Sequence, residues 1–255
     1  MRHFESDTPP PVRPGQAASR SIRKASALAG IGLLVMSALA GFANFAVLEG
    51  LVTHGDAART ARDIMASEGM FRLGIGSWFL VVALDVVVAW ALFRVFRPVS
   101  AGISMLAAWF RLVYAGVLMV AITELVGALG LLSDQQYLAV FNADQLHAQA
   151  LLRIETFTEI WDAGLVLFGL HLLVIAYLAY RSGYVPKILG VLLGIAGVGY
   201  TFDGLAAVLF QGLSTKISSF TFIGEFLLAL WLVIRGRRVT LSESRFHENP
   251  IGVTQ

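Results

Sequence analysis

The chain has 255 residues, of which 57% are hydrophobic and 14% charged, with a mean hydropathy of +0.73. A soluble globular domain carries about a quarter charged residues, and here the apolar residues come in long blocks, so the composition excludes a soluble fold and favours membrane helices over a barrel. A net charge of +2 is too small to suggest nucleic acid as a partner, and the lack of cysteine excludes disulfides, thiolate metal ligands and cysteine catalysis.

Residues 1–24 are polar and proline-rich, with Pro9, Pro10, Pro11 and Pro14 followed by Arg20, Arg23 and Lys24. They read as a disordered cytoplasmic tail. The apolar run that follows, to Leu51, is too long for a signal-peptide core and reads as an uncleaved first span. The chain then predicts spans at about 25–51, 71–96, 100–132, 150–180, 186–210 and 218–235, the last a short run extended by Ser218 and Ser219. The third is long enough to tilt or protrude. The expected architecture is an all-α polytopic membrane bundle of six transmembrane helices within residues 25–236, with a second cytoplasmic tail at 237–255. Thirteen of the nineteen Lys and Arg fall in the tails and in the two tight loops after spans 2 and 4, against three in the remaining loops. Basic residues collect on the cytoplasmic side, so both termini are expected there.

Two loops carry helix signals. Asp56 can cap a short helix running to Gly69, and Asn142 with Gln145 forms a potential capping box before span 4. Both segments are candidates for amphipathic helices at the outer interface or for ordered loops. Pro98 and Pro186 suit the first turn of spans 3 and 5, where a missing N–H is harmless. Spans 2–3 and 4–5, each with a preceding polar segment and a proline turn, read as a possible hairpin duplication. Gly190, Gly194, Gly197 and Gly199 predict close helix packing on span 5.

Ionisable residues within spans are the candidate functional groups, because a charge at the centre of a bilayer costs about 2.5–3.5 kcal/mol on insertion scales. Here they are Arg72, Asp85, Arg111, Glu124, Arg153, Glu155, Glu159, Asp162, His171, Asp203 and Glu225. Asp85 lies thirteen residues before Pro98 and Arg111 thirteen after it, which sets both at one depth, about 20 Å along their helices. They are expected to form a buried ion pair. Glu155, Glu159 and Asp162 share one helical face. With Glu124, Asp203 and Glu225 in the outer halves of their spans, and Arg72 and Arg153 nearby, they suggest an acidic, hydrated cavity that binds a divalent cation, relays protons or is merely solvated. His171 points away from that face, and Tyr200 or Thr201 is its expected partner.

The stretches Ala66-Ser-Glu-Gly-Met-Phe-Arg-Leu-Gly74, Asp85, Phe96-Arg-Pro-Val99, Phe110-Arg-Leu112, Leu167-Phe-Gly-Leu-His171, Arg181-Ser-Gly-Tyr-Val-Pro-Lys-Ile-Leu-Gly190, Ala196-Gly-Val-Gly-Tyr200 and Phe222-Ile-Gly-Glu225 together resemble a bacterial membrane family known as domain of unknown function 4386. The resemblance covers roughly residues 22–236. It implies a helical bundle in the bacterial plasma membrane and supplies no activity. Glu155-Thr-Phe-Thr-Glu-Ile-Trp-Asp162 departs from the family pattern, which often carries a histidine and a Gly-Tyr pair there. Three functions fit these residues: a small transporter or channel for a proton, cation or small solute; a structural or accessory protein whose charges lock helix packing; and an intramembrane enzyme acting on a lipid or isoprenoid. The bilayer is the expected partner. Metal, cofactor and oligomeric state stay open.

Overall fold

In a computed structural model, residues 14–133, 136–209 and 223–236 are described. Helix α1 is Pro14–Gly41, continued by a π-helical stretch Phe42–Leu48 and a last turn Glu49–Leu51. Then come α2 (Ala57–Ala66), α3 (Glu68–Phe96), α4 (Ala101–Leu131), a 3-10 turn Gln136–Val140, α5 (Ala143–Ser182), α6 (Lys187–Leu209) and α7 (Ile223–Ile234). Five of these runs, α1 with its continuation and α3 to α6, are long and apolar enough to cross a membrane; α7 is a shorter apolar helix. In hydrocarbon no water satisfies backbone N–H and C=O groups, so each crossing segment closes its own bonds as a helix. The protein is an all-α, multi-pass membrane bundle.

Each long helix packs on its neighbours in the chain. α1 lies against α3, α3 against α4, α4 against α5 and α5 against α6; α7 packs on α6 and also on α1. The six therefore form a closed ring. Its seam is tight, since a Cβ on Gly30 of α1 would fall 2.8 Å from the Ala229 carbonyl of α7, and one on Gly236 would fall 2.8 Å from Ser26. The outward faces carry Phe45, Leu80, Trp90, Trp109, Val198 and Phe202, all exposed. This is the inversion expected when the surrounding solvent is lipid.

The basic ends of the helices meet. Arg94 at the end of α3 donates to the Ser21 hydroxyl of α1 at 2.8 Å, and the Tyr184 hydroxyl, in the turn after α5, donates to the Val95 carbonyl at 2.7 Å. At the opposite end, α2 lies on the long α5. Forty residues make α5 about 60 Å long, twice the hydrocarbon thickness, and its protruding part has α2 for cover.

Several boundaries differ from the sequence reading. The expected tail at 1–24 becomes helical at Pro14; proline is tolerated in a first turn and the alanines that follow favour helix. Residues 1–13 and 237–255, with the expected tails, and 210–222, with Ser218 and Ser219, lie outside the described residues. Asp56 does cap α2, accepting from the Arg59 N–H at 2.9 Å, but the helix stops at Ala66 and α3 starts at Glu68. The Asn142–Gln145 capping box forms and opens α5 directly, and among the described residues of that loop the helical element ahead of it is the 3-10 turn Gln136–Val140. Pro98 lies in the turn ahead of α4 rather than in its first turn, because the Ser100 hydroxyl supplies the cap. Replacing Asn142 by Ala removes one of two reciprocal bonds at the exposed start of α5. Hydrogen exchange is expected to speed up over residues 143–147 alone, a local loss of about 1 kcal/mol.

The glycine stripe forms, in a different register. Added Cβ atoms on Gly190, Gly197 and Gly204 of α6 would meet α5 backbone at 3.0, 2.9 and 2.7 Å, whereas Gly194 meets only the Ala176 side chain at 3.8 Å. A spacing of seven residues keeps the three on one face of α6.

Candidate functional site: a charged layer at the centre of the ring

Six side chains lie ten to thirteen residues from the basic ends of their helices, counted from Lys24 on α1 and from Arg235 just after α7: Met36, Asp85, Arg111, His171, Tyr200 and Glu225. At 1.5 Å per residue this is a depth of about 15–20 Å, near the middle of a hydrocarbon core about 30 Å thick. Every helix of the ring contributes one of them.

Arg111 is the hub. It is 2% exposed and Asp85 is 0% exposed. One guanidinium nitrogen of Arg111 lies 2.8 Å from Asp85 Oδ1 and 3.9 Å from the Met36 sulfur. The other lies 3.2 Å from His171 Nε2, and the guanidinium carbon stands 5.4 Å from the centre of the Phe168 ring. The ion pair expected from the positions around Pro98 is present.

His171 does not bond Tyr200 or Thr201. Its Nδ1 lies 2.8 Å from the Ala107 carbonyl on α4, while Thr201 donates to Gly197 within its own helix. An Nδ1–H donating to that carbonyl and an Nε2 accepting from Arg111 fit only a neutral ring protonated at Nδ1. Ala107 and Arg111 are one turn apart, so His171 clips α5 to α4 and steadies the guanidinium. Sequence reasoning missed this because partner choice depends on helix rotation, and depth alone left α4 and α6 equally available.

Glu225 was expected nearer the outer side. It instead lines one void of about 10 Å³ together with Arg111, His171, Leu33, Leu92 and Leu193. That volume is at the lower limit for a single water. The Tyr200 hydroxyl lies beside the Glu225 carboxyl. Among the described residues, Glu225 Oε1, Asp85 Oδ2 and Arg111 Nε are shut from solvent without a hydrogen-bond partner.

Away from the basic ends, an aromatic stack adjoins the layer. Trp78 is 5.0 Å from Trp161 and 5.6 Å from Phe157, and Trp161 donates to the Tyr114 hydroxyl at 3.0 Å. Phe168 stands 4.9 Å from Tyr114 and 5.3 Å edge-on to Tyr200. Asp162 is beside Trp161 in the chain and nine residues, or about 13 Å, from His171. Glu155, Glu159 and Asp162 therefore sit at the level of the aromatic stack or beyond it, outside the charged layer. Glu155 and Asp162 are half-buried and Glu159 is exposed. Among the described residues no three acidic or histidine side chains are grouped to hold a metal, which corrects the divalent-cation reading of this face. The three share a face of α5 but are spread over about 10 Å along its axis, too far for all of them to reach one ion.

The other candidates are placed elsewhere. Arg72 pairs with Glu68 one turn away on the exposed side of α3, at 2.6 Å, rather than with the acids of α5. Arg153 bonds Glu124 at 2.8 Å, joining α5 to α4. Asp203 is buried one turn beyond Tyr200.

The comparisons give family without activity. A protein from Archaeoglobus fulgidus, itself described as uncharacterised, is 39% identical over 162 residues, covering 64% of this chain and 83% of that protein. No solved structure matches. The model of a family described as "Domain of unknown function (DUF4386)" matches residues 28–236, which run from within α1 through α7 and include all six members of the charged layer. The chain is therefore a member of the DUF4386 family.

Proposed function

We propose that the protein is a small transporter of the bacterial plasma membrane, carrying a proton or a small cation through the centre of the helical ring. The observation that supports this most is the composition of the layer near mid-depth: one guanidinium lies among two carboxylates and a neutral imidazole. With both carboxylates ionised the layer holds an excess negative charge in the least polar part of the bilayer. A packing latch needs only the Asp85–Arg111 pair. A second carboxylate, at a void, gives the layer capacity for one exchangeable positive charge.

The test is flux in proteoliposomes containing a pH-sensitive dye, under an imposed pH gradient and with sodium, potassium and lithium in turn. Wild-type protein is expected to dissipate the gradient or exchange one of the ions, and Glu225→Gln to lose at least nine-tenths of that rate. Wild-type vesicles no leakier than empty ones would sink the reading. A second reading, a structural protein with charges that only lock packing, is favoured by the pairing of Asp85 with Arg111 and of Glu124 with Arg153, and by the small size of the void.

A further inference from the structure

We propose that Glu225 is a single-proton site, taking its proton from a hydronium ion in the void it shares with Arg111 and His171. This rests on the transporter reading and narrows it from proton or cation to proton. The site is built from three observations. Glu225 Oε1 is enclosed and without a donor among the described residues. Arg111, 2% exposed and lining the same void, has Nε without an acceptor. The void takes one water at most, which excludes an organic solute.

The chemistry around the carboxyl then separates a proton from a metal ion. Sodium or calcium needs several oxygen ligands. The groups facing Glu225 are the neighbouring Tyr200 hydroxyl and the Arg111 guanidinium, which is all donor. Its packing neighbour α1 adds no ionisable residue between Lys24 and Glu49. Its other neighbour, α6, adds Tyr200 and, one turn farther out, Asp203. Across the ring stand Asp85, Arg111, Tyr114 and His171, with Asp85 committed to Arg111. A proton needs no coordination shell. The step is a plain transfer: a hydronium ion in the void loses an O–H bond, Glu225 gains one, and neutral water remains. Nothing is oxidised or reduced.

The test is infrared difference spectroscopy of the whole protein in lipid nanodiscs, between acid and alkaline buffer, which reads the C=O stretch of a protonated carboxyl. Wild type is expected to show one buried-carboxyl band that vanishes at alkaline pH. That band is expected to be absent in Glu225→Gln, retained in Asp203→Asn and Glu159→Gln, and moved to higher frequency in Tyr200→Phe, which deletes the polar hydroxyl beside it. The Tyr200→Phe shift provides a readout even if Glu225→Gln does not fold. Adding sodium, potassium or lithium at constant pH is expected to leave the band alone. A band that persists in Glu225→Gln, is lost instead in Asp203→Asn, is unmoved in Tyr200→Phe, or is displaced by sodium overturns the proposal. The two readings fail separately: a Glu225 band without flux removes transport and keeps the site, whereas flux without that band keeps transport and removes the site.

Discussion

Arg111→Met is expected to destabilise the protein in detergent by about 3–5 kcal/mol, and adding Asp85→Leu to the same chain is expected to recover most of that loss. The reason is asymmetry. Removing the cation leaves Asp85, 0% exposed, with no counter-charge in a medium that solvates charge badly. It also takes the donor from His171 Nε2, so the clip between α4 and α5 keeps only the Ala107 bond. Replacing both charges by apolar groups of similar volume removes the orphan, and buried ion pairs often tolerate that exchange with little change in stability. Asp85→Asn creates the opposite orphan, a buried Arg111, and is expected to lower stability too. Thermal unfolding followed by tryptophan fluorescence, with size-exclusion profiles as a check on aggregation, reads all four proteins. Unchanged melting of Arg111→Met, or a double variant no better than the single, would contradict the ion-pair account.

Gly169→Val is expected to disrupt the contact between α5 and α6, while Gly194→Ala passes unnoticed. A Cβ on Gly169 would collide with the Thr201 side chain and lie 2.7 Å from the Gly197 carbonyl and the Thr201 amide nitrogen. Two of those three atoms are backbone, so relief requires one helix to move away from the other. Overpacking of this kind costs about 1–3 kcal/mol in soluble cores. Here the movement also carries His171 and Tyr200, on the two helices concerned, out of the charged layer. At Gly194 the nearest atom is 3.8 Å from an added methyl, an ordinary contact. Stability by thermal melting and the position of the Glu225 infrared band should therefore both change in Gly169→Val and neither in Gly194→Ala. Equal behaviour of the two variants would place the close approach elsewhere.

These residues also mark how far the sequence was legible. Asp85 and Arg111 could be paired in advance because a short turn sits midway between them, so counting along two antiparallel helices gives depth. Asp56 and the Asn142–Gln145 box were legible because capping is local, decided within four residues. What depends on rotation about a helix axis was not. His171 found Arg111 instead of Tyr200, and the glycine stripe chose Gly197 and Gly204 over Gly194. Glu225 joined the layer because α7 packs against both α1 and α6, a contact across nearly the whole chain that no local spacing encodes. The acidic trio of α5 was over-read for a related reason: a shared helical face aligns side chains in direction without bringing them to a common point.

Ring closure by α7 has a consequence for biogenesis. Helices α1 and α3 to α6 can be handed to the bilayer one after another, each finding the preceding span already in place. Until α7 leaves the ribosome and inserts, the nascent assembly is an open arc. The face α7 will cover then presents Arg111 and His171 to lipid or to invading water. A stalled or truncated chain thus exposes a charged interior that the finished protein hides, and this gives membrane quality control a physical signature by which to tell the two apart.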